Sequence, residues 1–448
     1  MLEQLLVGFA GSLQPHNLFF VTLGVAVGIL GGAMPGVSAS TTVALLLPLT
    51  FGMPPDTSVI LLAGAYVGAE YGGSITAIFI NTPGTPPAVM TVLDGYACTK
   101  KGIPVKALGA SLIPGTFGGL LANLALVLAS VPLVEFALKF GPSEYFALAL
   151  WGLMMVSSLG GGYWVKGVLA MTIGLLIAAV GTDAITGFPR FIFETPELLD
   201  GFELVPALVG LLALSEAFVV VEELGGYSAI PKKFNYDWPT WAEYKSVFPA
   251  TLRGSVIGLI VGAIPAAGGT VASVLAYNIE KKISKHPEKF GTGVLEGVAA
   301  PESANNAVVG GSLIPTLTLG IPGSGTAAIM LGALALHGLV PGPELFSKSS
   351  YVVYNLFASQ FLANIVMLLL GLVGVSWWAR VVEVPKAVLA SVIIALCFVG
   401  AYSVSGNIWN VGVTLAFGIL GYWMRKLDFP PLPIVLALVG FVFLDWAT

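Results

Sequence analysis

Charge is what this 448-residue chain lacks most. Asp, Glu, Lys and Arg together make up 10% of it, where a soluble domain carries roughly 25%. Hydrophobic residues reach 56%, so too little polar surface remains to cover a water-soluble globule. A soluble enzyme and a nucleic-acid-binding protein are both excluded by that balance. Metal-ligating residues are equally scarce: three histidines (His16, His286, His337) and two cysteines (Cys98, Cys397) are scattered along the chain. That pattern fits neither a disulfide framework nor a zinc site. Residues 1–16 hold no Lys or Arg, so the basic start of a cleavable signal peptide is missing. There is no Gly-x-x-x-x-Gly-Lys-Ser/Thr phosphate loop, which argues against ATP as the energy source. Neither Gly-x-Ser-x-Gly nor His-Glu-x-x-His occurs, and no catalytic constellation is expected.

What the chain has instead is a series of apolar runs from Phe19 to Ala447. The expectation is an all-α polytopic membrane protein with roughly ten to twelve crossings, set by the ~20 residues a spanning helix needs. Several runs are too short to cross, among them 36–51, 58–70 and 267–279, and these cluster around glycine and proline motifs. They read as half-helices and re-entrant hairpins. The 56 glycines suit close helix approach in a membrane.

The motifs occur twice. Gly28–Ile29–Leu30–Gly31–Gly32–Ala33–Met34–Pro35 returns as Gly258–Leu259–Ile260–Val261–Gly262–Ala263–Ile264–Pro265. Gly72–Gly73–Ser74 ahead of Pro83–Gly84–Thr85 is answered by Gly310–Gly311–Ser312 ahead of Pro322–Gly323–Ser324. Corresponding helix breaks in two halves are the mark of a secondary transporter whose substrate sits between them. The halves read as residues 1–225 and 250–448, joined by a polar connector, 226–249. Basic residues fall in non-corresponding loops: none near Pro54–Thr57 but Lys281, Lys282, Lys285 and Lys289 in its counterpart, with Lys100, Lys101 and Lys106 reversing the bias in the next loop. Basic loops stay cytoplasmic, so the repeats are expected to be inverted.

Proline removes a backbone donor and interrupts the helical ladder, and the chain then restarts with unpaired N–H groups that attract anions, carboxylates included. The candidate substrate or ion site is therefore Ser74, Asn81, Thr82, Pro83, Gly84 and Thr85 in the first half. In the second it is Asn305, Asn306, Pro322, Gly323, Ser324 and Thr326. Gly32, Pro35 and Gly36, and later Gly262 and Pro265, set the other breaks. No Lys or Arg falls between residues 18 and 99 or between 290 and 347. An anionic substrate would thus be held by helix ends and neutral groups, with Na⁺ at freed carbonyls as a candidate source of positive charge and its ligands undefined. Glu70 and Glu302 are ionisable groups in apolar sequence and are candidate site-adjacent acids; Glu302 follows Pro301, a place that also suits a helix start. Asp94–Gly95–Tyr96 reads as a surface turn, and the run 281–289 as a solvated loop.

These residues resemble the large permease subunit of the tripartite tricarboxylate transporters, the TctA family. The resemblance is carried by Leu47–Pro48–Leu49–Thr50–Phe51–Gly52–Met53–Pro54–Pro55, by Asn81–Thr82–Pro83–Gly84 and by the run Glu296–Gly297–Val298–Ala299–Ala300–Pro301–Glu302–Ser303–Ala304–Asn305–Asn306–Ala307. It continues through Leu317–Thr318–Leu319–Gly320–Ile321–Pro322–Gly323–Ser324 and extends from about residue 15 to 433. It implies a multi-pass protein of the bacterial inner membrane, working with a small membrane subunit and a periplasmic solute-binding protein. The implied cargo is a small organic carboxylate such as citrate, driven by a Na⁺ or H⁺ gradient with no organic cofactor. By analogy with other ion-coupled carriers, the implied movement is of elevator type; homo-oligomer formation is left open. Where the family often reads Pro-Gly-x-Gly, this chain has Pro35–Gly36–Val37–Ser38 and Pro265–Ala266–Ala267–Gly268, which leaves less room for close backbone approach. Family members commonly continue beyond the position of Thr448 through an acidic and arginine-bearing stretch, a departure that puts the scaffold, or a subunit contact, in doubt. An ion channel, and more remotely an intramembrane enzyme, remain as alternatives at this point.

Overall fold

The computed structural model describes residues 2–141, 144, 147, 164–183, 186–222, 237–265, 267–381 and 386–438. Most of the apolar stretch 145–159, most of the expected connector and the end of the last apolar run lie outside them. The first half builds α1 (Leu2–Ser12), α2 (Pro15–Gly32), α3 (Ala39–Leu46), α4 (Pro55–Ile80), α5 (Val89–Lys100) and α6 (Pro104–Ala137), then α7 (Trp164–Ala178) and α8 (Leu204–Glu222). The second builds α9 (Trp241–Ala263), α10 (Gly268–Ile283), α11 (Glu296–Leu319), α12 (Gly325–Leu336), α13 (Pro343–Lys348), α14 (Ser350–Val381), α15 (Lys386–Ser405) and α16 (Ile408–Lys426). The strand content described is one two-residue pair, Gly181–Thr182 against Pro189–Arg190. The protein is an all-α polytopic membrane protein. Among the described residues, six helices are long and apolar enough to cross a membrane: α2, α6, α8, α9, α14 and α15.

The two central helices, α4 and α11, are different. At 26 and 24 residues they exceed the ~20 needed to span, yet they carry polar side chains. Thr57 through Phe79 of α4 are all buried, as are Gly297 through Thr318 of α11. Protein, not lipid, surrounds them, so Glu70, Ser74, Glu302, Asn305 and Asn306 never face hydrocarbon. Tyr66 of α4 meets Ser312 of α11, while Glu70 meets Asn305; rising numbers on one helix pair with falling numbers on the other, so the two run antiparallel.

Against each central helix lies a hairpin. Gly28 packs so closely on α4 that a methyl group there would collide with the Ala65 carbonyl, and Gly258 stands in the same relation to Ala304 of α11. These seams hold α2 and α9 parallel to their central helices and end them midway along, where Gly32 lies beside Ala69 and Gly262 beside Val308. The chain then turns and returns through α3 or α10. Both pairs are helical hairpins. α6 packs along α11 and α14 along α4, and α8, α15 and α16 form a neighbouring layer, tied by an Arg425–Glu216 ion pair at 2.6 Å.

Four expectations need correction. The pair Gly72–Gly73 does not interrupt a helix: α4 is continuous from Pro55 to Ile80, because full burial and packing override the intrinsic cost of glycine. Likewise, Glu302 does not begin a helix; α11 starts at Glu296 and carries Pro301 within it. Asp94–Gly95–Tyr96 is not a turn but part of α5, with Asp94 fully buried. Finally, α9 begins inside the stretch read as connector, where Thr240 and Glu243 form a reciprocal capping box that satisfies two orphan donors at the helix start.

Candidate functional site

The site is built where four chain reversals meet between α4 and α11. After α4 ends at Asn81, whose φ of 58° is left-handed, the chain folds back until the Gly84 amide donates to the Gly73 carbonyl at 3.1 Å. It then leaves through α5. After α11 ends at Gly320, with φ 71°, it folds back in the same manner and leaves through α12. Gly84 abuts the Gly32 carbonyl and Gly323 the Gly262 carbonyl, with no space for a side chain at either. Gly73 and Ser312 occupy the corresponding places beneath these loops. The internal alignment is therefore one residue away from the Gly72–Gly73–Ser74 against Gly310–Gly311–Ser312 match suggested by the motifs alone.

Each hairpin reaches the loop of the other half. Ser40, in α3, lies 3.1 Å from the Thr326 hydroxyl. In the second hairpin, a Cβ on Gly269 would stand 2.8 Å from Pro87 in the loop of the first half; within its own half that Cβ would lie 2.5 Å from Asn305 Oδ1, and the Gly268 amide donates to the Gly323 carbonyl at 3.3 Å. The tips of both halves thus form one compact assembly.

The second break has the chemistry of an anion site. Ser324 is the N-cap of α12, and its Oγ accepts from the Ala327 amide at 3.1 Å. The Tyr66 hydroxyl lies 2.7 Å from the same Oγ and 3.3 Å from Ser312 Oγ. With the Thr326 and Ser40 hydroxyls, these groups ring the N-terminus of a twelve-residue helix, whose first N–H groups point outward. Such an end attracts carboxylates without any fixed cation.

The first break differs. Thr85 makes no capping bond, and Pro86 and Pro87 occupy the first positions after it, so the expected N–H donors are missing there. Three oxygens nearby, Glu70 Oε2, Thr85 Oγ1 and Asn305 Oδ1, are buried without a hydrogen-bond partner. The Asn305 amide donates to the Glu70 carbonyl at 3.2 Å.

The remaining candidates separate. Asn305 and Asn306 diverge around α11: Asn306 donates to the Glu302 carbonyl at 3.0 Å and faces Gly115 of α6. Glu302 accepts from Thr91 and, at 3.2 Å, from Ser111, which also bonds Ser74 at 2.7 Å. Ser74, Glu302 and Asn306 therefore face the packing between α4, α5, α6 and α11. Asn81 is exposed and ends a helix; Asn tolerates the left-handed conformation better than other side chains. Thr82 bonds locally to the Ile80 carbonyl at 3.3 Å. Pro83 and Pro322 precede the tight glycines. Gly36, with φ 91°, lets the first hairpin turn against Val220 of α8, and Pro265 follows the end of α9.

Two contributors escaped the motif reading. Tyr66 is one of three buried aromatics on α4, with Tyr71 and Phe79, and only its spacing one turn before Glu70 could have drawn attention to it. Asp94 receives the amides of Gly291, Gly293 and Val294, at 2.7 Å from Gly293, and the Tyr277 hydroxyl at 2.9 Å. It fastens α5 to the chain entering α11.

Comparison with known proteins finds a matching family and two relatives. Residues 18–436 match the model of the tripartite tricarboxylate transporter TctA family. An uncharacterized 52.8 kDa protein from the TAR-I ttuC' 3' region of Agrobacterium vitis is 37% identical over 439 residues, covering 98% of this chain and 88% of that protein. An uncharacterized protein from the TAR-II ttuC' 3' region of the same organism is 36% identical over 182 residues, covering 41% of this chain and 75% of the relative. No solved structure matches.

Proposed function

The chain belongs to the TctA family of tripartite tricarboxylate transporters, and from that premise we propose that it is the permease that carries a small organic carboxylate across the bacterial inner membrane. A periplasmic solute-binding protein delivers the substrate, a small membrane subunit completes the complex, and an ion gradient supplies the energy. The observation that carries this reading is the second break: Ser324, Thr326, Tyr66, Ser312 and Ser40 gather hydroxyls around the start of α12, deep between two buried helices. Hydroxyl donors and helix N–H groups suit a carboxylate, and the dearth of fixed cations keeps the site from trapping it. The antiparallel run of α4 and α11 and the paired seams support inverted repeats. Since both hairpins and both loops interlock, we infer that they shift as one body against the long helices, in the elevator manner.

The test is uptake of labelled citrate and a panel of dicarboxylates into proteoliposomes holding the chain with its small subunit and binding protein. Accumulation that requires the binding protein and an ion gradient is expected. Passive conductance without the binding protein would make the protein a channel and overturn the reading.

A further inference from the structure

The first break has the wrong chemistry for an anion and the right chemistry for its partner. We propose that Glu70, Thr85 and Asn305 form a site for one Na⁺ ion. This rests on the carboxylate-importer reading and adds to it the place in the fold where a coupling ion binds.

The three oxygens that lack a partner belong to side chains with 5%, 1% and 1% exposure, in the order Glu70, Thr85, Asn305. A buried polar atom without a hydrogen bond is costly, and a carboxylate oxygen more so. They are also neighbours. Glu70 and Gly73 lie one turn apart on α4, and the Thr85 hydroxyl fills the place where a side chain on Gly73 would be. Asn305 is tied to the Glu70 carbonyl and turns its Oδ1 toward Gly269 and Pro87, two residues past Thr85. A proton on Glu70 and the Thr85 hydroxyl would each supply a single directed donor, while Asn305 Oδ1 can only accept. A hard cation satisfies all three at once. One carboxylate balances one positive charge, which favours a monovalent ion over the calcium and magnesium that oxygen-rich sites of higher charge select. Pro86 and Pro87 strengthen the case, since they strip the loop of the N–H groups that would repel a cation.

The placement explains coupling. Tyr66, whose hydroxyl meets Ser324, precedes Glu70 by one turn on the same helix. With its cation absent, the Glu70 carboxylate repels a substrate carboxylate held at Ser324. Bound Na⁺ cancels that charge, so each ligand raises the affinity for the other by the same factor.

The experiment is equilibrium binding of ²²Na⁺ to the purified full-length chain, compared with Glu70→Gln, Thr85→Val and Ser324→Ala, each first shown to be monodisperse. Saturable binding by the wild type is expected, weakened roughly 100-fold in Glu70→Gln and on the order of tenfold in Thr85→Val, as ligand charge and number govern such affinities. Ser324→Ala should bind Na⁺ like the wild type while losing carboxylate affinity. Wild-type protein without saturable Na⁺ binding, or Glu70→Gln with unchanged binding, would overturn the site. Citrate uptake by the wild type under a pH gradient in Na⁺-free medium would likewise remove it while leaving the carboxylate importer standing.

Discussion

The two helix breaks share a backbone and differ in what they offer a ligand. In both, a loop folds back beneath a left-handed helix cap and seats a glycine on the carbonyl of a hairpin tip. Beyond that glycine they part. The second presents Ser324 as a cap and a helix start with its amides; the first presents Thr85 followed by two prolines and faces a carboxylate. The lesson is that an internally repeated frame can be specialised by two or three side chains at the same structural position. In the proposed reading, one copy attracts negative charge and the other positive.

That contrast can be broken most completely at the shared frame. Gly84→Leu and Gly323→Leu, for which the Gly32 and Gly262 carbonyls leave no space, should each abolish uptake while the protein still inserts; wild-type uptake by both would remove the breaks from the mechanism. Ser324→Ala separates the halves more selectively. It removes a cap worth about 1 kcal/mol and a substrate-facing hydroxyl, so apparent carboxylate affinity should fall on the order of tenfold, readable as a raised KM. Asp94→Ala strips one acceptor from three backbone amides and should lower thermal stability by about 2 kcal/mol, with ²²Na⁺ binding preserved in the folded fraction. An unchanged melting temperature would show that α5 is held by other contacts. The smallest effect is expected from Asn81→Gly: if this residue only caps α4, uptake kinetics should match the wild type, whereas a large loss would return it to the binding site.

Much of the frame is legible in the chain before any coordinates. Repeated glycines at helical spacing announce close helix seams, and Pro-Gly pairs announce reversals, because backbone sterics at those residues depend little on surroundings. The site is less legible. The continuity of α4 through Gly72–Gly73 depends on burial from every side, which no local propensity encodes. The divergence of Asn305 and Asn306 follows from the 3.6-residue turn once a helix is known to run through both. Tyr66 and Asp94 act across more than 180 positions in sequence, and nothing local marks an ordinary tyrosine or an Asp-Gly pair for such duty. Pro86 and Pro87 were visible all along, yet their meaning came only from seeing that Thr85 precedes a helix start.

The exchange of contacts between halves has a historical consequence. Ser40 serves the loop of the second half, Gly269 leans on the loop of the first, and Tyr66 and Asn305 each complete the other half's break. An ancestor made of two identical subunits would have required every such position to suit both partners. Fusion into one chain would release that constraint, leaving one break free to carry prolines and the other a serine cap. Copies that differ in this way could no longer pair with themselves to rebuild both breaks. A duplication of that kind would be irreversible at the centre of the protein, where the two breaks differ, although the outer seams keep the same spacing.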